Sequence, residues 1–229
     1  MNVKSALQNA QRLLQAAGVD GARRDARRLL AHCLDQPSAW LISHDDAQIE
    51  DAQQLRFENM VAERASHRPV SQIIGSREFW GQSFCVTRDT LDPRPETELL
   101  VQIALAGPPP KRILDLGTGT GVILISLLNE WPQARGLGVD LSDKALDVAR
   151  KNVANHNLSD RCDIQQSDWF QSVSGRFDLI TCNPPYISEP EMRGLSRDVL
   201  DWEPHLALTP GGDGLSSYRQ IADHLARHL

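Results

Sequence analysis

Lys111-Arg-Ile-Leu-Asp-Leu-Gly-Thr-Gly-Thr-Gly121 decides the fold. Arg112 to Leu116 carries Ile113, Leu114 and Leu116, a run short and apolar enough for a strand buried on both faces. It breaks at Gly117-Thr118-Gly119-Thr120-Gly121, and Val122 to Trp131 then supplies a stretch of helical length. A strand, a glycine-rich turn and a helix open a parallel α/β sheet. Glycines in that turn let a ligand approach the backbone, and the helix start offers free N–H groups.

Toward the C-terminus the alternation continues. Gly136 to Asp140 reads as the second strand, Ser142 to Asn155 as a helix, Cys162 to Gln166 as the third strand and Phe177 to Cys182 as the fourth. Such alternation implies a parallel sheet with helices on both faces. Ligands in these sheets sit at the carboxyl ends of strands, near the switch in strand order. Polar or glycine-rich signals fall at all four ends: Gly117–Gly121, Asp140, Asp168 with Trp169, and Asn183.

Asp140 lies 19 positions past Gly121, where a carboxylate can accept hydrogen bonds from both ribose hydroxyls. Gly-x-Gly-x-Gly is tighter than the Gly-x-Gly-x-x-Gly of nicotinamide cofactors. Asp115 precedes it, placed to face a cationic amine, and Asp168-Trp169 fits an adenine pocket with a polar acceptor and a ring wall. An adenosine with a positively charged amino-acid tail is S-adenosylmethionine. Taken singly, Asp115 is equally a strand-end cap, and Trp169 equally a core residue.

The fourth strand stops at Asn183-Pro184-Pro185-Tyr186. Consecutive prolines lack N–H groups and fix φ, so the chain leaves the sheet in a stiff, extended turn. The Asn183 side-chain oxygen and the Pro184 carbonyl are two neighbouring acceptors, suited to a planar –NH₂ group with two hydrogens to donate. Tyr186 offers an aromatic face for a planar amide or base. Alone, Asn-Pro-Pro-Tyr is equally a strand-ending turn.

Toward the N-terminus, Val3, Leu7, Ala10, Leu13, Leu14 and Ala17 form one helical stripe, ended by Gly18. Asp20 is placed to cap a second helix bearing Ala22, Ala26, Leu29, Leu30 and Cys33, with Arg23, Arg24, Arg27 and Arg28 on a solvated face. Ser38–Ser43 and Glu50–Ser66, the latter carrying Leu55, Met60, Val61 and Ala65, complete a small bundle over residues 1–68. His32, His44 and His67 are isolated and read as structural or surface residues. Short β-like runs at Val70–Ile74, Glu78–Trp80 and Ser83–Val86 suggest a hairpin linker over 69–90, with the last domain at 91–229. That domain begins with the constrained loop Pro93-Arg-Pro-Glu-Thr-Glu98, where Thr97 is placed to cap a helix running to Ala106.

The 229 residues are 41% hydrophobic, with formal net charge −6. Residues 1–90 hold 11 basic and 11 acidic side chains, and residues 91–229 hold 13 and 19. Affinity for duplex phosphate calls for a basic face, and none is visible, so no direct nucleic-acid binding is expected. The four cysteines are scattered without a Cys-x-x-Cys pair, which argues against a metal site or disulfide frame and for a reducing cytoplasm. No apolar run suits a signal peptide or a membrane span.

Together, Asp115-Leu-Gly-Thr-Gly-Thr-Gly121, Pro93-Arg-Pro-Glu-Thr-Glu98, Asp168-Trp169 and Asn183-Pro-Pro-Tyr186 resemble the protein-(glutamine-N5) methyltransferases of the HemK/PrmC family. The resemblance covers nearly the whole chain. It implies a Rossmann-like S-adenosylmethionine-dependent sheet and a helical N-terminal domain joined by a hairpin; a monomer is expected. The implied reaction is methylation of the glutamine in the Gly-Gly-Gln motif of class 1 peptide-chain release factors. Gly117 to Gly121, Asp140 and Trp169 would hold the cofactor, with Asp115, Asp168 and Asn183 as further candidates. Asn183, Pro184 and Tyr186 are the catalytic candidates, joined by Pro185 and Arg94 for substrate binding. Two departures stand out. Asp92 replaces the apolar residue usual before the motif's first proline, and family members run on past a helix like Ser216–Leu229 into a fifth strand and closing hairpin. Without those, the fourth strand would have an unpaired edge. The rival readings are a glutamine methyltransferase of a ribosomal protein, an adenine-N6 nucleic-acid methyltransferase, and a non-catalytic module that grips a translation factor.

Overall fold

A computed structural model describes all residues, 1–229. The chain divides into two compact units, Met1–Gly75 with Arg197–Trp202, and Ser76–Ser196 with Glu203–Leu229.

The first unit is helical. Helix α1 (Val3–Ala16) starts where Asn2 Oδ1 accepts the Ser5 N–H at 2.9 Å, and it buries Val3, Ala6, Ala10 and Leu14 at helical spacing. Helix α2 (Ala22–Leu34) is not capped by Asp20. Gly21 takes the cap position with φ 73°, a left-handed conformation in which an aspartate Cβ would be strained. Helices α3 (Trp40–Ser43) and α4 (Asp51–Ala65) follow, the latter opened by a reciprocal Glu50–Gln53 capping box. On α4 the expected Leu55 is exposed and Phe57 fills the core instead. Arg64 is buried, its Nε 2.8 Å from Asp25 and its Nη2 2.7 Å from Asp198, so its charge is matched from both sides.

Residues 70–74, expected as an extended run, form helix α5 (Val70–Ile74). Five residues with only Val70, Ile73 and Ile74 apolar are too few to reveal a period. Here Gly75, at φ 81°, closes the turn by donating its N–H to the Ser71 carbonyl, and Ile73 and Ile74 pack on the bundle core.

The second unit opens with the hairpin β1 (Ser76–Phe79) and β2 (Gln82–Cys85), antiparallel with Ser76 opposite Cys85. Trp80 and Gly81 both have positive φ, the turn that matches strand twist. Helix α6 (Glu98–Leu105) leads into the sheet. Its strands are β3 (Arg112–Leu116), β4 (Arg135–Asp140), β5 (Cys162–Gln166) and β6 (Leu179–Cys182), all parallel, in the order β5-β4-β3-β6. Helix α7 (Val122–Glu130) connects β3 to β4 and α8 (Asp143–Asn155) connects β4 to β5, while the chain from β5 to β6 forms no helix. The chain winds outward from β3 through β4 to β5, then returns to the other side of β3 as β6. The switch in direction therefore opens beside the carboxyl end of β3.

Close packing of α7 on β4 requires Gly136, where a Cβ would stand 2.7 Å from Leu124 Cδ1. Leu124, Ile125, Leu127 and Leu128 are fully buried, each worth about 1.5–3 kcal/mol. No helix is long and apolar enough to cross a membrane.

Candidate active site

A cavity of about 420 Å³ lies at the carboxyl ends of the strands, within the second unit. Its wall brings together ten of the candidate residues: Gly117, Thr118, Gly119, Thr120, Asp140, Asp168, Trp169, Asn183, Pro185 and Arg94. Four more expected residues, Asp115, Gly121, Pro184 and Tyr186, lie outside the wall.

The glycine loop is held from below. Gly117 and Gly119 have φ of 66° and 55°, and the Trp169 ring packs 3.6 Å from where a Gly117 Cβ would be. The Thr118 N–H donates to the Val139 carbonyl, and the Gly119 N–H donates to Asp140 Oδ2 at 2.9 Å. Asp140 Oδ1 accepts the Ser142 N–H at 2.9 Å. Each Asp140 oxygen thus keeps capacity for a ligand hydroxyl. Burial pushes the Asp140 carboxyl above its ordinary range. Gly121 caps α7 at φ 81°, and a Cβ there would come 3.1 Å from Ile125 Cδ1. Asp168 Oδ2 accepts from Gln171 Nε2 at 3.0 Å.

Asp115 does not face the cavity. It is fully buried, with Oδ2 accepting from Thr118 Oγ1 at 2.7 Å and Oδ1 from Thr181 Oγ1 at 2.8 Å. Its place in mid-sheet, opposite Gly138 and Thr181, turns the carboxylate onto these hydroxyls rather than toward a ligand amine. Burial raises its pKa from 3.8 to about 6, against the pull of the two hydroxyls. Between those values the folded chain keeps a proton that the unfolded chain has released, so stability falls as pH rises through the window and levels off above it. From about pH 4 to about pH 7, the unfolding free energy of wild type is therefore expected to decline by about 2 kcal/mol relative to Asp115→Asn. Urea titrations of both proteins across that range check this, and parallel pH curves would contradict it.

After β6 the chain emerges at Asn183. Asn183 Nδ2 donates to Thr97 Oγ1 at 3.4 Å, and its Oδ1 accepts no hydrogen bond from the protein. Thr97, expected to cap α6, makes no side-chain cap bond and serves Asn183 instead. Pro184 is buried. Tyr186 is 59% exposed and does not form a wall for a ligand. Its backbone is pinned by the segment that follows it in space: Ile187 N–H donates to Leu208 O, Glu189 N–H to Gly212 O, and a Cβ on Gly214 would fall 2.3 Å from the Tyr186 carbonyl oxygen.

Sequence reasoning missed several residues. Ser167 lines the cavity, and its hydroxyl donates to the Trp169 carbonyl and accepts the Ser172 N–H. Together these bonds support Trp169 at its unusual φ of 48°. Asn152 ties the hairpin exit to the glycine loop. Pro204, Leu206, Ala207 and Thr209 form another part of the wall. Arg94 Nη2 lies 2.8 Å from both Glu203 oxygens, so the guanidinium expected to touch substrate is held by a carboxylate. Asp92, the departure noted above, has Arg77 Nη1 at 3.6 Å and Arg94 Nη1 at 4.0 Å.

Both units match known protein families. Residues 5–75 match the family description "PrmC N-terminal domain", and residues 79–213 match "Methyltransferase small domain". A release factor glutamine methyltransferase of Cereibacter sphaeroides is 52% identical over 229 residues, spanning 100% of this chain and 82% of the relative. One from Agrobacterium fabrum is 40% identical over 234 residues, spanning 99% and 81%. Among solved structures, the hMettl16 catalytic domain in complex with an RNA hairpin superposes with TM-score 0.52 at 19% identity, covering 78% of this chain and 64% of that one, a likeness of fold alone. With both units accounted for and relatives matched end to end over its length, the chain belongs to the release factor glutamine methyltransferase family.

Proposed function

We propose that this chain transfers a methyl group from S-adenosylmethionine to the side-chain amide nitrogen of the glutamine in the Gly-Gly-Gln motif of class 1 peptide-chain release factors. The observation that carries the reading is Asn183. It sits at the end of the switch-point strand, in the cavity wall, with its Nδ2 engaged by Thr97 and its oxygen unclaimed by the protein.

The cavity suits the cofactor. Its size is within the range of small-molecule sites, and Asp140 offers acceptors to ribose hydroxyls beside a left-handed glycine loop. Asp168 and Trp169 supply a polar edge and a ring beyond it. When bound, S-adenosylmethionine supplies an electrophilic methyl group on a sulfonium.

The remaining work falls to the protein. An amide nitrogen is a poor nucleophile because its lone pair is delocalised into the carbonyl. Asn183 Oδ1 would accept one of its N–H bonds, and the Pro184 carbonyl, once turned to the cavity from its buried position outside the wall, would accept the other, fixing the nitrogen and favouring the positive charge that develops on it. Positioning of this kind contributes about 7–11 kcal/mol of barrier reduction, and electrostatic preorganisation adds to it. No histidine, cysteine or glutamate lines the cavity. Burial pushes the neighbouring Cys182 thiol far up, so it stays protonated and is no base. The proton then leaves to water after transfer.

The test is tritiated S-adenosylmethionine offered separately with release factor, ribosomal protein and DNA, followed by mass mapping of the labelled residue. Label on the Gly-Gly-Gln glutamine is the expected result. Label only on a ribosomal-protein glutamine or on adenine would replace this assignment.

A further inference from the structure

Two parts of the cavity wall meet at one ion pair. The Arg94 side chain is 36% exposed and that of Glu203 only 1%, with Arg94 Nη2 at 2.8 Å from each carboxylate oxygen. Pro93, Arg94 and Thr97 line the cavity on one side of this pair, and Thr97 holds the Asn183 amide. On the other side, the chain after Glu203 supplies Pro204, Leu206 and Thr209 to the wall, and Leu208 accepts the Ile187 N–H just past the two prolines. Asp92 and Arg77 flank the pair, so a second anion and a second cation share the same region. Asp92 Oδ1 is buried without a hydrogen-bond partner, while its Oδ2 lies 4.0 Å from Arg94 Nη1, so Arg94 sits between two carboxylates.

We propose that Arg94 and Glu203 are a positioning pair, clasping the 93–97 loop to the 203–210 segment so that the cavity wall is fixed around Asn183. Neither side chain need touch the substrate. A guanidinium held on a buried carboxylate, with a second carboxylate nearby, is oriented by the protein and is not free to reach outward. The proposal rests on the methyl-transfer reading for its kinetic consequences but not for its structural ones.

The test uses the full chain as Arg94→Gln, Glu203→Gln, the double variant, and Arg94→Lys, which keeps the charge and so avoids burying an unmatched carboxylate. Hydrogen–deuterium exchange is read first. Amides of residues 205–209 are expected to exchange about tenfold faster in either single variant and no faster in the double than in the singles, as coupled partners should. In methylation assays kcat is expected to fall about 10–100-fold, with the release-factor KM and cofactor affinity within about threefold. Arg94→Lys should show the same loosening of 205–209 in milder form, since the ammonium keeps the charge but lacks the fixed plane that orients the guanidinium. Unchanged exchange at 205–209 would overturn the proposal, as would additive losses in the double variant, or a loss confined to KM. If the singly neutralised variants do not fold, Arg94→Lys decides by the same exchange criterion. If wild type fails to methylate release factor while the exchange pattern holds, the methyl-transfer reading falls and the clasp stands.

Discussion

Asn183→Ala is expected to lower single-turnover methylation of release factor by about 10³-fold, equivalent to about 4 kcal/mol of transition-state stabilisation. The substitution removes a side-chain acceptor that has no protein partner of its own and leaves Thr97 without its donor. The strand beneath is untouched, because Leu179–Cys182 pair with β3 through backbone groups. Cofactor affinity should therefore stay within about threefold of wild type. Asn183→Asp is the informative companion. It keeps an acceptor at the same place and can accept a hydrogen bond from Thr97, so it should retain more activity than the alanine variant. A scheme in which the asparagine merely ends the strand predicts small and equal effects for both. Near-wild-type turnover in Asn183→Ala would remove the acceptor role altogether, and loss of cofactor binding in parallel with activity would reassign Asn183 to the cofactor.

The parts of this site visible in the sequence are those set by backbone chemistry. Gly117 and Gly119 advertise left-handed conformations, Asp140 ends a strand, and the two prolines after Asn183 forbid further pairing. Each is a local constraint, and the cavity duly gathers them. What local constraints do not carry is side-chain direction across the sheet. Asp115 lies one residue before the end of β3, and its orientation depends on Thr181 of β6, 66 residues away. The same is true of Arg94, whose direction is set by Glu203, 109 residues on. Thr97 looked like a helix cap because its spacing before α6 is right, but its hydroxyl is drawn to Asn183, 86 residues distant. Val70–Ile74 differs for another reason: five residues with Val70, Ile73 and Ile74 as the apolar positions fit either period, and the bundle core selects the helix.

Asn152→Leu is expected to be the most destabilising single change in the second unit. Asn152 is fully buried on α8, among Ala149, Val153 and Val148, at a position where an apolar residue would pass unnoticed. Its Oδ1 accepts the Cys85 N–H at 2.7 Å, and its Nδ2 donates to the Cys85 carbonyl at 3.0 Å and the Thr120 carbonyl at 2.9 Å. Leucine has similar bulk but leaves three backbone groups without partners where water has little access. Each orphaned group costs about 1–3 kcal/mol, so about 3–5 kcal/mol remains after partial relaxation. For a chain of this size that lowers Tm by about 10 °C or more. Because Thr120 belongs to the glycine loop, cofactor affinity should fall with stability, whereas Asn155→Leu at the exposed end of the same helix should leave both nearly unchanged. Thermal melts of the two variants, with and without S-adenosylmethionine, separate these outcomes. An Asn152→Leu protein that melts alongside wild type would mean that the hairpin exit and the glycine loop are held together by packing alone, without the amide that bridges them.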